Sequence, residues 1–490
     1  MLTALTPESL LVVTALVVLG LGVSAPRARS LITVAALAGG FAAAAAIFLF
    51  PVDGNFLHGM IVLSPIARIF QFVILGLGLV AVVFASDSFP ETHFAESLAL
   101  VLFSTLGMML LAATEDLLMI FIALELTSIP LYILAAFAKE SRSSAEAGLK
   151  YFLIGSISAA FLLYGLSLIY GVTGSTGLQA ISKLSGTPDP LLIAGIVLTL
   201  AGFAFKVAAV PFQLWAPDVY EGAPTAAAAL IASGSKVAGI FILAKILTLG
   251  LGHWAGSAGW GDFLPGWAPV LALMAAASIV LGNITALVQS NVKRLLAYSA
   301  IAHGGYLLIG LCSAGQDSPV TAVLFYVIIY SLTTAGAFGV VAIVEKERGG
   351  SGLDDFDGLV KSSPVLALCL LVFLISLAGI PPLAGFFGKF YLFTAALAKP
   401  SLLWLVVLAI AMNAISLYYY LIVLKHAFVL PARQDVRPDS APASRFLVAA
   451  LALSVLAIGL APNLLLAPLT KSPPVKTAVL ASAAHMPSHP

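Results

Sequence analysis

Charged side chains are scarce in this chain. They make up 9% of its 490 residues, where a soluble domain carries about a quarter. With 61% hydrophobic residues, the composition excludes an ordinary water-soluble globule. The net charge of +1 excludes a broad basic surface, and with it nucleic acid as a partner. Cysteine is almost absent. Cys312 and Cys369 each lie in an apolar run and show no C-x-x-C or Cys/His spacing. Nothing therefore marks a disulfide framework, an iron–sulfur cluster or a metal site. No glycine-rich loop follows a strand-like segment, so no nucleotide site is marked either. Long polar loops are missing too. The two longest, 345–363 and 431–444, are too short for a catalytic domain.

What is present is a succession of apolar segments. About 20 such residues cross the hydrocarbon of a bilayer. The expected spans are 9–25, 31–51, 66–86, 96–114, 116–138, 147–172, 190–222, 225–249, 268–289, 294–312, 319–344, 364–398, 401–428 and 444–466. The fold class is thus an all-α polytopic membrane protein with about 14 transmembrane helices. The first segment lacks a basic flank and reads as a span, not a cleaved signal peptide. The Pro/Ala/Ser-rich segment after Pro468 reads as a disordered tail. Two spans are too long for a simple crossing. One contains Pro211 and Pro217, the other Gly379-Ile-Pro-Pro382. Proline removes a backbone donor and clashes with the preceding turn, so both read as helices broken inside the membrane. Broken helices at matching places suggest inverted repeats with the functional site at the breaks. Two kinked structural helices are the simpler alternative.

Lysine and arginine in the loops set orientation. Thirteen lie after odd-numbered spans, and three, Arg68, Lys183 and Lys399, after even-numbered ones. The odd loops are then cytoplasmic and both termini periplasmic. Five lysines remain within spans: Lys150, Lys206, Lys236, Lys245 and Lys389.

A charge at the bilayer centre costs at least ~3 kcal/mol, so such residues face a polar interior or a pathway. Glu125 lies mid-span in the fifth segment. It reads as a proton-accepting group coupled to a lysine, or as one half of a structural ion pair. Lys206 lies five residues before Pro211, where a break frees carbonyls and admits water. A lysine whose proton affinity responds to a nearby carboxylate can load and release a proton. Lys236, among small residues in Ala232-Ser-Gly-Ser-Lys-Val-Ala-Gly239, and Lys389, after the second break, could continue a lateral relay. A snorkelling lysine is the alternative for each, and their central positions argue against it. Lys150 is nearer the cytoplasmic edge, where snorkelling and function read equally well. Lys293 and Arg294 precede the tenth span, and His303 lies one to two turns further in. Histidine titrates near neutrality, so His303 could bridge the two halves or be a satisfied structural residue. Lys245, toward the end of its span, reads as interfacial.

Five stretches carry a resemblance. They are Ala123-Leu-Glu-Leu-Thr-Ser-Ile-Pro-Leu131, Glu146-Ala-Gly-Leu-Lys-Tyr-Phe152, the run from Phe205-Lys206 through Trp215-Ala-Pro-Asp-Val-Tyr-Glu-Gly-Ala-Pro-Thr225, Lys293-Arg-Leu-Leu-Ala-Tyr-Ser299, and Gly379-Ile-Pro-Pro-Leu-Ala-Gly-Phe-Phe-Gly-Lys389. Together they resemble the antiporter-like membrane subunits of respiratory complex I, the proton-pumping NADH–quinone oxidoreductase. The match is closest to the N-type chain, the counterpart of mitochondrial subunit 2. The chain ends soon after its fourteenth span, which argues against the L type with its long lateral helix.

The resemblance implies an N-terminal three-helix segment (1–95) and two inverted five-helix repeats (96–249 and 268–428), each with a broken helix and a proton half-channel. A C-terminal helix (444–466) and the tail (467–490) would follow. It assigns proton translocation to Glu125, Lys206, Lys236 and Lys389, with Lys150, Lys293 and His303 secondary and Pro211, Pro381 and Pro382 at the breaks. One departure is at Ala302 and Gly304, where relatives often carry Ser and a larger residue. No cofactor is expected in this chain. NADH, FMN, iron–sulfur clusters and quinone would belong to partner subunits. The implied partners are an M-type antiporter-like chain, small K- and J-type chains and membrane lipid, in a bacterial inner membrane. A subunit of a multi-subunit sodium/proton antiporter is the alternative, since it shares this architecture.

Overall fold

The structure, a computed structural model, describes residues 4–471 apart from 91, 185, 187, 188, 260, 314–319 and 433–439. Arg433 and Arg437 of the loop-charge count, and the tail beyond 471, lie outside the described residues.

Helices dominate. They are α1 (Thr6–Ser24), α2 (Arg29–Leu49), α3 (Pro65–Ser88), α4 (Phe94–Ala113), α5 (Leu117–Ala135), α6 (Arg142–Thr173), α7 (Pro190–Val207) and α8 (Trp215–Gly222). They continue with α9 (Thr225–Gly250), α10 (Trp267–Ala286), α11 (Val292–Ser313), α12 (Thr321–Arg348), α13 (Pro364–Ala378), α14 (Ala384–Leu397), α15 (Leu403–Phe428), α16 (Pro442–Leu460) and α17 (Asn463–Lys471). A short hairpin, Gly54–Phe56 with Ile61–Leu63, joins α2 to α3. Among the described residues, thirteen helices are long and apolar enough to cross a membrane, and α13 and α14 form a shorter apolar pair. The sequence expects one long span where that pair lies. It also expects a tail from residue 467, yet α17 continues to Lys471 with Pro468 inside it.

Helix starts follow local chemistry. Ser64, Asp116, Ser141 and Asp189 each cap the helix that follows by accepting a backbone N–H. Pro65 and Pro190 fill the first helical position, where no backbone donor is needed.

Both expected breaks are present. α7 ends where Ala208 turns left-handed at φ 56°, and α8 resumes at Trp215 after Pro211. α13 ends where Gly379 turns left-handed at φ 81°, and α14 resumes at Ala384 after Pro381 and Pro382. In each break a left-handed residue lies three positions before a proline preceded by a cis bond.

Burial is graded from the centre outward. The apolar stretch of α9 is 100% buried, and those of α11 and α12 are 94% buried, against 33% for α1, α2, α6, α15 and α16. Lipid tails are as apolar as leucine, so the outer helices keep hydrophobic residues on both faces. Two of the inner three, α9 and α11, carry Lys236, Lys245, Lys293 and His303, all buried.

Candidate proton-relay site

On α5, Glu125 is half-buried and Ser128 lies one turn further on. Ser128 Oγ donates to the Leu124 carbonyl and accepts from Lys206 Nζ. Lys206 occupies the last turn of α7, beside the break. The expected Glu125–Lys206 ion pair is therefore open in this structure. The two charges remain within electrostatic range, but the amine rests on the serine. Trp215 Nε1 donates to the Phe205 carbonyl at 3.1 Å, so the first residue of α8 ties back to the last turn of α7 across the break. Ser278 of α10 accepts the Val210 N–H at 2.9 Å and ties the break to the second half of the chain.

Lys206 packs against α9 at Gly239, less than one turn beyond Lys236. A Cβ at Gly239 would lie 3.6 Å from that of Lys206. Lys236 is 1% exposed and donates to the Ala300 carbonyl of α11 at 2.6 Å. Its ammonium lies 5.0 Å from the Tyr330 ring. A π-turn, Ile231–Ser235, precedes it directly. Such wide turns are rare and recur at functional sites. Gly304 permits this approach, because a Cβ there would meet the Val207 carbonyl at 2.9 Å and stand 3.9 Å from Lys236 Nζ. Gly304 thus lets the first break and Lys236 lie close to α11.

His303, one residue earlier on α11, is buried. Its Nδ1 is 2.6 Å from the Tyr326 hydroxyl and its Nε2 3.2 Å from the Tyr420 hydroxyl. Tyr420 also contacts Ser299 Oγ at 2.5 Å. The imidazole lies within electrostatic range of both Lys236 and Lys389.

Lys389, in α14, is 4% exposed. It donates to the Leu377 carbonyl at 2.6 Å and to Asn413 Oδ1 of α15. Asn413 Nδ2 in turn donates to the Ala378 carbonyl at 3.2 Å. The second break frees carbonyls, and the lysine and the asparagine take them up. The Tyr306 ring lies 5.2 Å from the ammonium. Tyr306 accepts from Asn283 at 3.2 Å, and Asn283 accepts from Tyr419 at 3.0 Å.

Half-buried Lys206 and the buried Lys236, His303 and Lys389 thus form one row between the two breaks. Sequence reasoning missed Ser128, Asn283, Asn413 and the tyrosines that line it. Asparagine within an apolar span, and the Tyr418–Tyr420 run, were the available signals.

Lys150 and Lys293 lie elsewhere. Lys150 contacts Glu146 at 2.6 Å and Asp218 at 2.5 Å, and Asp218 also accepts from Arg294 at 2.7 Å. Lys293 is buried, 3.0 Å from the Ala223 carbonyl and 3.3 Å from Glu345. These groups form a charged cluster around α8 at one end of the helix bundle. Lys245 lies in the last turn before the second π-turn of α9, near the end of its span, and is enclosed by protein there. Lys245 is 2% exposed and packed against the turn between α4 and α5.

Residues 114–416 match the family model of the transmembrane region of NADH:quinone oxidoreductase and Mrp antiporters. NADH-quinone oxidoreductase subunit N 2 of Acidobacterium capsulatum is 49% identical over 84% of this chain and 85% of its own length. A chain of respiratory complex I from Thermus thermophilus superposes with a TM-score of 0.79 at 34% identity, covering 94% of this chain and 98% of that one. A chain of the Mrp complex from Dietzia sp. DQ12-45-1b superposes at 0.82 with 22% identity, covering 97% and 99%, a likeness of fold alone. The chain belongs to the antiporter-like proton-channel family, and within it to the NADH-quinone oxidoreductase N subunits.

Proposed function

We propose that this chain translocates protons as the N-type membrane subunit of a proton-pumping NADH–quinone oxidoreductase, through a lateral Glu/Lys relay. The observation that carries the reading is the row Lys206–Lys236–His303–Lys389, beginning and ending at helix breaks, its last three members buried. Nothing in a scaffold requires three lysines and a histidine at the centre of the bundle. The open Glu125–Lys206 pair is one state of a two-state switch. When the carboxylate closes on the amine, the lysine holds its proton. When the amine moves back to Ser128, the proton is free to pass toward Lys236. His303 and its tyrosines connect Lys236 to Lys389, from which the proton leaves.

Helices α4–α9 and α10–α15 form the two inverted repeats, each with its fourth member broken. Quinone reduction elsewhere in the complex supplies the driving charge. NADH, FMN, the iron–sulfur clusters and quinone belong to partner subunits. An M-type chain and small K- and J-type chains are the membrane neighbours. The protein lies in a bacterial inner membrane with both termini periplasmic, so the Lys150–Asp218–Arg294 cluster faces the cytoplasm. The relatives at high identity are N subunits, whereas the Mrp likeness is one of fold, so the sodium/proton antiporter reading is the weaker.

Moving one charge against 100 mV costs about 2.3 kcal/mol, so the row must be gated. Lys206→Ala tests the reading. The assembled variant should lose pumping and coupled turnover. Unchanged pumping would remove Lys206 from the mechanism.

A further inference from the structure

Lys245 and Glu115 form an ion pair that the relay leaves unused. The amine lies 3.6 Å from Glu115 Oε1, and the side chains are 2% and 8% exposed. Each is otherwise satisfied. Lys245 donates to the Ala112 and Thr114 carbonyls at 3.0 and 3.3 Å, and Gln179 donates to Glu115 Oε2 at 3.1 Å. Asp116, the next residue, caps α5 and accepts from Thr176 at 2.5 Å.

Its position is informative. Nine residues separate Lys245 from Lys236, which is about 14 Å along α9. That distance carries the pair to the end of the bundle opposite the Lys150–Asp218–Arg294 cluster. The two lysines of α9 share a local device. Lys236 directly follows one π-turn, and Lys245 directly precedes the other, Ile246–Gly250. The acids share a segment as well. Glu115 immediately precedes the α5 cap and Glu125 lies at mid-helix, so a shift of α5 moves both. In this structure the pair at mid-helix is open and the pair at the end is closed. A buried ion pair is a poor source of stability, because apolar side chains of similar size hold helices as well or better. Charge at this point therefore calls for another role. A pump must never open its pathway to both sides together, and a fixed buried cation is a barrier to protons.

We propose that Glu115 and Lys245 form the outer gate of the first repeat. Closed, the pair seals the row from the outer water. A shift of α5 that brings Glu125 to Lys206 draws Glu115 from Lys245 and opens it. The inference rests on the proton-translocating reading and on the orientation above.

The test is passive proton leak across proteoliposomes holding the assembled complex, under an imposed pH gradient and without NADH. Glu115→Gln and Lys245→Met should each raise the leak several-fold. The exchange Glu115→Lys with Lys245→Glu should restore the seal. NADH oxidation by an artificial acceptor should stay at the parent rate in all three. Assembled single variants as tight as the parent would overturn the gate. If neither single variant assembles, Glu115→Asp decides, because it keeps the charge and lengthens the pair. Its leak should rise, and a parent-like leak would overturn the proposal. A parent complex that fails to pump during turnover would defeat the underlying reading, a result independent of the leak comparison.

Discussion

Replacing Asn413 with Leu removes the side-chain acceptor of Lys389 while keeping a side chain of similar size. Lys389 retains the Leu377 carbonyl at 2.6 Å and the Tyr306 ring at 5.2 Å, so the amine stays in place. It loses the hydrogen bond to Asn413 Oδ1, and the Ala378 carbonyl loses its donor at 3.2 Å. A hydrogen bond to a charged group is worth about 1.5–3 kcal/mol. That energy stabilises the proton-loaded lysine and disappears in the variant. At one factor of ten per 1.36 kcal/mol, the equilibrium for loading Lys389 becomes roughly 10- to 160-fold less favourable. The complex should still assemble, because the break keeps its prolines, its left-handed glycine and the Lys389–Leu377 bond. The assay is proton uptake into proteoliposomes followed with a pH-sensitive dye, alongside NADH–quinone turnover and NADH oxidation by an artificial acceptor. Pumping and quinone turnover should fall together, while the artificial-acceptor rate is retained. An assembled Asn413→Leu complex that pumps at the parent rate would refute the role of this bond.

Gly379→Ala should also impair pumping, for a steric reason. The new Cβ would stand 2.9 Å from Lys389 Cδ at a φ of 81°, which costs about 1–2 kcal/mol for a residue with a side chain and pushes the lysine off its acceptors. Parent-like pumping in that variant would show that the lysine tolerates displacement. A tagged chain purified in mild detergent should bring with it an assembly that oxidises NADH with an artificial acceptor. A stable assembly without that activity would favour the antiporter or a complex fed by another donor.

Much of the architecture was legible because its causes are local. Hydropathy alone marks segments long enough to cross lipid. Pro211, Pro381 and Pro382 announce the breaks, since proline cannot continue the backbone ladder wherever it stands. Glu125, Lys206, Lys236 and Lys389 stood out because charge within an apolar span is costly in any packing. What those charges touch was not legible. Ser128 rather than Glu125 receives Lys206, and Asn413 of α15 receives Lys389. Lys150 and Lys293 join a charged cluster around α8, and Lys245 is buried on Glu115. Each of these contacts depends on how one helix is rotated against another. In lipid that rotation is set by close packing of small residues and by hydrogen bonds between distant segments, because an apolar surround gives a helix no wet face to mark its orientation. The sequence by itself determined that the chain is a bundle of apolar spanning helices, where two of them break and which charges stand inside the apolar segments. Only the tertiary structure decided which pair is open and which is closed.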